Sequence, residues 1–302
     1  MGPTARQICS RPFDGKVLAS VTNTIYLVSG SGDLFWIIGE DEHLHWRSIR
    51  VQGRLPQISE NTLFSGDPNQ VVFKNGMKID LSRSSEWQTR MPEITKLYLI
   101  TSIFQKVLEI YHPLSEVQSR GFGFLIPGLL KGMSDPLSFH KEQYQDPILR
   151  KAWPHIQNIA LKSSHQDFKS VVEEAQNLIG LGSGLTPSGD DFLGGLFFAF
   201  HFLSNVYPEQ LKSNNSFLDA FFDRNPGKTN LISFTLMQDM SRGRGLAPLH
   251  EFVNSMVTNQ PNDLIVSFAL ELAQIGNSTG WDILTGVLAG LITTRSYSKE
   301  CR

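Results

Sequence analysis

Between Lys16 and about Leu81, short apolar runs alternate with turn residues. Val17-Leu18-Ala19-Ser20-Val21, Thr24-Ile25-Tyr26-Leu27-Val28 and Leu34-Phe35-Trp36-Ile37-Ile38 are rich in β-branched and aromatic side chains. Runs of this kind bounded by turns predict strands and hairpins. Val71–Lys74 and Met77–Asp80 flank Asn75-Gly76, which predicts a two-residue type I′ hairpin. After Ser82-Arg83-Ser84-Ser85 the apolar period lengthens. Pro92 opens a predicted helix with Leu97, Ile100, Phe104, Val107, Leu108 and Tyr111 on one face, ending at His112-Pro113. From Arg120 to Asp146 glycine and proline recur, in Gly121-Phe122-Gly123, Pro127-Gly128 and Asp135-Pro136. That segment reads as an irregular connector, with lining or covering a site as the alternative. Ser164 with Asp167 predicts a capped helix through Val171, Val172, Ala175 and Ile179, stopped by Gly180. The expected fold is α+β, with a β-rich barrel or sandwich over residues 1–85 and a mainly helical domain over 86–302.

Within the second part, Ser188-Gly189-Asp190-Asp191-Phe192-Leu193-Gly194-Gly195-Leu196 is echoed by Thr279-Gly280-Trp281-Asp282-Ile283-Leu284-Thr285-Gly286-Val287 at a constant offset of 91. Each copy reads as a helix start, with Ser188 or Thr279 as cap and Asp191 or Asp282 as the reciprocating acid. Glycine at the first helical position costs about 1 kcal/mol relative to alanine, so Gly189 and Gly280 imply a close approach to the backbone. Before the first copy runs Gly180-Leu181-Gly182-Ser183-Gly184-Leu185-Thr186-Pro187. A glycine-rich loop feeding a helix N-terminus concentrates free N–H donors and positive dipole charge, which suits phosphate or carboxylate. Gly194 and Gly195 in one copy, and Gly286 and Gly290 in the other, predict two helices packed through glycine faces in a pseudo-twofold arrangement. Their N-termini would then converge on one ligand.

Asp191 is matched by Asp282, which favours a capping role for both. Asp190 has no acidic counterpart, because Trp281 stands there. It is therefore the better candidate for proton transfer or for a hard cation such as magnesium. Arg242 and Arg244, alternating with glycine in Ser241–Gly245, are candidate anion clamps. Lys228–Ser233 is a second-rank source of polar contacts. A P-loop is excluded, since Gly189 is followed by two aspartates instead of Lys-Ser/Thr. A dinucleotide fingerprint is excluded because no βαβ pattern surrounds Gly182-x-Gly184. His43 and His45 lack the partners of a zinc site, His201 reads as a packing residue, and His250 follows the arginine-glycine loop closely enough to approach the same site.

The 302 residues, 40% of them hydrophobic, suffice for one large or two moderate domains. A formal charge of −2 gives no reason to expect nucleic acid or an anionic membrane as partner, so any anion site is local. Cys9 and Cys301 form no metal or disulfide motif. The polar opening segment and the longest apolar stretch, Phe192–Phe200, predict a cytoplasmic protein rather than a membrane-anchored one.

The run from Gly182 to Gly195 resembles the signature of the AllH-like family, and Ser278-Thr279-Gly280-Trp281-Asp282 fits it also. The resemblance implies a subunit of an oxamate carbamoyltransferase-like enzyme of allantoin and purine nitrogen catabolism. Such an enzyme interconverts oxalurate plus phosphate with oxamate plus carbamoyl phosphate, working with other subunits on small anionic metabolites. On this reading Gly182, Ser183, Gly184, Thr186, Ser188 and Gly189 cradle the anion, and Asp190 and Asp191 are the candidate catalytic residues. Ser278, Thr279, Gly280 and Asp282, with Arg242 and Arg244, complete the pocket. No metal ligands are assigned. The alternative is a non-catalytic metabolite-binding or scaffolding subunit whose partner performs the chemistry.

Overall fold

A computed structural model describes residues 1–89, 97–132, 144–211 and 215–298. The chain divides into two compact units, Met1–Arg90 and Met91–Arg302. Pro92, the Asp135-Pro136 turn and Cys301 lie outside the described residues; the helix expected from Pro92 to Pro113 begins only at Ile100, after Leu99 as N-cap, and runs through Pro113 to Ser115.

In the first unit, helix α1 (Pro3–Ile8) precedes β1 (Phe13–Val21), β2 (Thr24–Ser29), β3 (Leu34–Ile38), β4 (Ser48–Arg50), β5 (Leu63–Asp67), β6 (Gln70–Phe73) and β7 (Lys78–Asp80). They form one seven-stranded sheet in the order β4-β3-β2-β1-β5-β6-β7, antiparallel except for β3 with β4. The sheet curls into a half-barrel, so the expected barrel or sandwich is present as a single open sheet. Its concave core gathers Val17, Ile25, Leu27, Phe35, Ile37, Phe64, Val71 and Phe73 under Ala5 of α1. Phe35 and Phe64 meet edge to face, as Phe13 does with both. Cys9 is buried here, and desolvation pushes its thiol up to about 12, which leaves it unreactive at neutral pH.

The β6–β7 connection differs from the expected type I′ turn. Phe73 N–H donates to Met77 O and Gly76 N–H to Phe73 O, each at 2.9 Å, so the loop has three residues, Lys74, Asn75 and Gly76. Only Gly76 takes a positive φ, +90°, as in a turn closed by a left-handed glycine bulge.

The second unit is helical: α2 (Ile100–Ser115), a 3-10 turn (Gly121–Leu125), α3 (Ile126–Gly132), α4 (Pro147–Ser164), α5 (Phe168–Ala175), α6 (Ser188–Val206), α7 (Asn215–Arg224), α8 (Leu231–Ser241), α9 (Ala247–Val257), α10 (Asn262–Ala273), α11 (Thr279–Leu291) and the short α12 (Arg295–Ser298). Asp167 itself is the N-cap of α5, accepting from Ser170 N–H, whereas Ser164 closes α4. Helix α4 went unread in the sequence, although Asp146-Pro147 supplies a cap and a first-turn proline.

Helix α6 is buried almost all round from Gly189 to Leu203, the mark of a central core helix. Among the described residues no helix is long and apolar enough to cross a membrane. Helix α11 lies along α6, and the expected glycine packing is observed for Gly195, Gly286 and Gly290 with reciprocal contacts, whereas Gly194 faces Met237 and Met240 of α8. A Cβ on Gly195 would overlap Ile283 O, and one on Gly286 would overlap Phe192 O. Each pair maps onto the other by the offset of 91, and Gly290 rests on the Ala199 methyl in the next turn. The helices therefore run side by side in the same direction, their N-termini at one end.

Candidate functional site

The paired N-termini form the floor of a cavity of ≈ 470 Å³. The glycine-rich loop lines one part through Ser183, Gly184, Leu185 and Thr186, and Asn277, Ser278 and Thr279 of the second copy line another. Among the described residues, the backbone amides of Ser183, Gly184, Leu185, Thr186, Asn277 and Ser278 donate to no acceptor in the chain. Two parallel helices add their N-terminal partial charges on the same side. Amide donors and positive dipole charge thus meet at one place, as an anion requires.

The two repeats do not cap themselves as expected. Helix α6 has Pro187 and α11 has Ser278 at the N-cap, neither with a side-chain cap bond. The hydroxyl and acid of each copy cross to the other instead. The Thr186 and Thr279 hydroxyls draw the Asp191 pKa down, and those of Ser188 and Ser278 do the same at Asp282. Asp191–Thr279 and Asp282–Ser188 are the same interaction related by the pseudo-twofold. Asp282 Oδ1 also accepts the Phe122 N–H at 2.5 Å, and Thr186 and Thr279 share a hydroxyl contact of 3.0 Å.

Both acids are buried, Asp191 at 2% and Asp282 at 0% exposure. Burial first, and then the charge of Asp282, hold the Asp191 carboxyl well above the ordinary carboxylate range, against the downward pull of the two threonines. Burial raises Asp282 to about 6 despite its donors. The Oδ2 atoms of both are buried without a hydrogen-bond partner. Burial and the neighbouring Asp282 charge thus both favour the protonated form of Asp191.

Gly189 and Gly280 answer to tertiary packing rather than to a ligand. A Cβ on Gly189 would overlap Leu178 O, and one on Gly280 would overlap Leu272 O. In both copies the carbonyl of a preceding segment occupies the space. Gly182, at φ +129°, has its missing Cβ position 2.6 Å from Ser188 N, which seats the loop on the start of α6.

Asp190 points away from the cavity. Its Oδ1 accepts Gly180 N–H at 2.7 Å, and its Oδ2 accepts the hydroxyls of Thr229 at 2.5 Å and Ser233 at 2.7 Å. A carboxylate engaged by three donors and 1% exposed latches the loop to α8. Among the described residues no three His, Cys, Asp or Glu side chains are grouped to hold a metal ion. Asn230 extends the latch, donating to Leu185 O at 2.8 Å and capping α8.

Arg242 and Arg244 are not brought to the cavity. They follow α8, whose start holds the loop, and an 11-residue helix carries them about 16 Å away. There Gly243 packs on His201, Arg242 lies 4.0 Å from Asp219 and Arg244 4.0 Å from Asp239. His250 remains with this loop, accepting Gly245 N–H and meeting Phe198 edge to face.

Gly121, Phe122 and Asp146 line the cavity, in keeping with the alternative reading of the Arg120–Asp146 segment as lining a site. The signal was Gly121-Phe122-Gly123: a Cβ on Gly121 would overlap Asp282 Oδ1, and one on Gly123 would stand 2.7 Å from the Trp281 ring. The described ends of the segment therefore line the site, the alternative to the connector reading. Asp146 is the charged side chain among the described lining residues, and its carboxyl caps α4 at Ile148 N–H.

The first unit holds a larger cavity of ≈ 850 Å³, lined by residues of β4 and β7 including Arg50 and Lys78. It is the gap between the two edges of the half-barrel, and its described lining residues include no buried carboxyl pair. The fold and site together define an α+β protein with a cavity over a pseudo-symmetric pair of helix N-termini. Residues 178–291 match the family model described as oxamate carbamoyltransferase subunit AllH, and over that span the chain is AllH-like. No solved structure matches the chain.

Proposed function

We propose that this chain is a subunit of an oxamate carbamoyltransferase-like enzyme, interconverting oxalurate plus phosphate with oxamate plus carbamoyl phosphate in cytoplasmic allantoin and purine nitrogen catabolism. The observation that carries the proposal is the convergence of unpaired amides on a cavity above two parallel helix N-termini. The cavity's size suits one or two small reactants. In the forward direction a phosphate oxygen bonds to the ureido carbon, the bond from that carbon to the oxamate nitrogen breaks, and the nitrogen takes a proton. What the chain's own residues supply is orientation of the anionic ends and stabilisation of charge on the carbonyl oxygen.

A second reading, a metabolite-binding subunit whose chemistry is completed by a partner, is favoured by one feature. Among the described lining residues there is no lysine or arginine and no activated nucleophile. Calorimetric titration of the full chain with carbamoyl phosphate, oxamate, oxalurate and phosphate tests both. Saturable binding, weakened about tenfold or more by Thr279→Val and unaffected by Arg244→Ala, is the expected result. Absence of binding to all four ligands refutes a self-contained site. Turnover only after addition of partner subunits selects the second reading.

A further inference from the structure

Both edge strands of the half-barrel, β4 and β7, border the ≈ 850 Å³ gap in the first unit. The hydrogen bonds of β7 fix which of its backbone groups face away from the sheet. Phe73 N–H donates to Met77 O and Leu81 N–H to Asn69 O, and Ile79 pairs with Val71 in the same register. Alternate residues of a strand turn their N–H and C=O to opposite sides, so those of Lys78 and Asp80 point away from β6. On β4, Trp36 N–H donates to Arg47 O and Val51 N–H to Ile38 O, which leaves the N–H and C=O of Arg50 pointing away from β3. None of these backbone groups has a hydrogen-bond partner among the described residues.

Side chains around the gap divide by polarity. Ile49 and Ile79 are buried in the core of the sheet, and Val51, Leu55 and Met77 are partly buried beside it. Arg50, Arg54, Lys78 and Arg83 line the gap, are exposed, and form no ion pair among the described residues. The acids there are engaged. Asp80 Oδ1 accepts the N–H and hydroxyl of Ser82 at 2.8 and 2.6 Å, and Glu86 lies 3.1 Å from Arg6.

We propose that this gap docks an extended acidic segment of a partner chain, which adds to the open edge of the sheet as a further strand. The free N–H and C=O groups supply the ladder, and a strand sends successive side chains to opposite faces. Apolar residues of the segment meet Val51, Leu55 and Met77, and the acidic residues between them meet Arg50 and Lys78. Charge selects the occupant, because unpaired cations beside engaged acids favour a negative strand over a basic one. The surface belongs to the first unit alone, so the inference does not rest on the proposed carbamoyl chemistry.

The full chain is titrated at low salt with a fluorescein-labelled peptide, Glu-Val-Glu-Val-Glu-Val, of about six residues as in an ordinary strand, and binding is read by fluorescence anisotropy. Saturable binding is expected. It weakens about tenfold when lysine replaces every glutamate, through like-charge repulsion, and similarly when proline replaces the second valine and removes a ladder donor. Arg50→Glu/Lys78→Glu weakens the glutamate peptide about tenfold or more, whereas Lys151→Glu/Lys169→Glu, an equal reversal of exposed charge in the second unit, leaves it unchanged. The peptide series on the wild type needs neither variant to fold. No binding of the glutamate peptide, equal binding of the lysine or proline peptide, or unchanged binding in Arg50→Glu/Lys78→Glu overturns the proposal. A dimer of the chain in sedimentation equilibrium that Arg50→Glu/Lys78→Glu dissociates also overturns it, by assigning the edge to a second copy.

Discussion

Replacing Asp282 by asparagine should stabilise the helical unit at neutral pH and do so progressively less as pH falls. Burial raises the Asp282 pKa from 3.8 to about 6 in the folded chain. Because the folded pKa is the higher one, the unfolded chain releases this proton first, and stability falls as pH rises from about 4 toward 6. Above about 6 the full penalty is present, roughly 3 kcal/mol at about 1.4 kcal/mol per pH unit. Asparagine removes that titration. Its carbonyl still accepts the Phe122 N–H. Removing the Asp282 charge also relieves Asp191, which that charge holds up, so the gain extends above pH 6. The assay is urea unfolding followed by far-UV circular dichroism, which is dominated by the helical unit, at intervals from pH 4.5 to 7.5. Midpoints are compared only where the slopes agree. A difference between variant and wild type that stays constant across this range would refute the buried-pair electrostatics.

Three further outcomes follow from the packing. Gly286→Ala and Gly195→Ala should each destabilise by about 2–3 kcal/mol in urea unfolding, because the new methyl overlaps the backbone of the facing helix; equal tolerance of alanine at both would contradict the close pairing. Asp190→Asn should cost about 1–3 kcal/mol by weakening three buried hydrogen bonds, and hydrogen exchange should then accelerate at Gly180 and in the loop that follows. Arg242→Ala and Arg244→Ala should change stability by less than about 1 kcal/mol and leave ligand affinity unaltered, as isothermal calorimetry would show.

Local patterns were sufficient for several features of this chain. The alternating runs before residue 81 specify strands, because period-two burial leaves one face for a core. The repeat at offset 91 announces two related helix starts, and glycines four apart on apolar helices require a facing backbone. The helical second part and the glycine packing of α6 on α11 were thus legible before any coordinates. The spacing that predicts a capping box was misleading here. Whether a hydroxyl bonds to an acid three residues on or to one 91 residues away depends on which element lies alongside, and only the parallel pairing of α6 and α11 supplies the second choice.

Tertiary structure alone decided the remaining assignments. Asp190 and Asp191 are adjacent in sequence, yet a helix turns successive side chains by about 100°. One therefore meets Thr229 and Ser233 of the α8 region, and the other meets Asp282. The same geometry carries Arg242 and Arg244 to the far end of α8 while bringing Gly121 and Phe122 onto Asp282 from 160 residues away. Sequence determines which groups can accept, donate or approach closely. The direction in which each side chain leaves its helix, and the neighbour it finds there, exist only once the helices are packed.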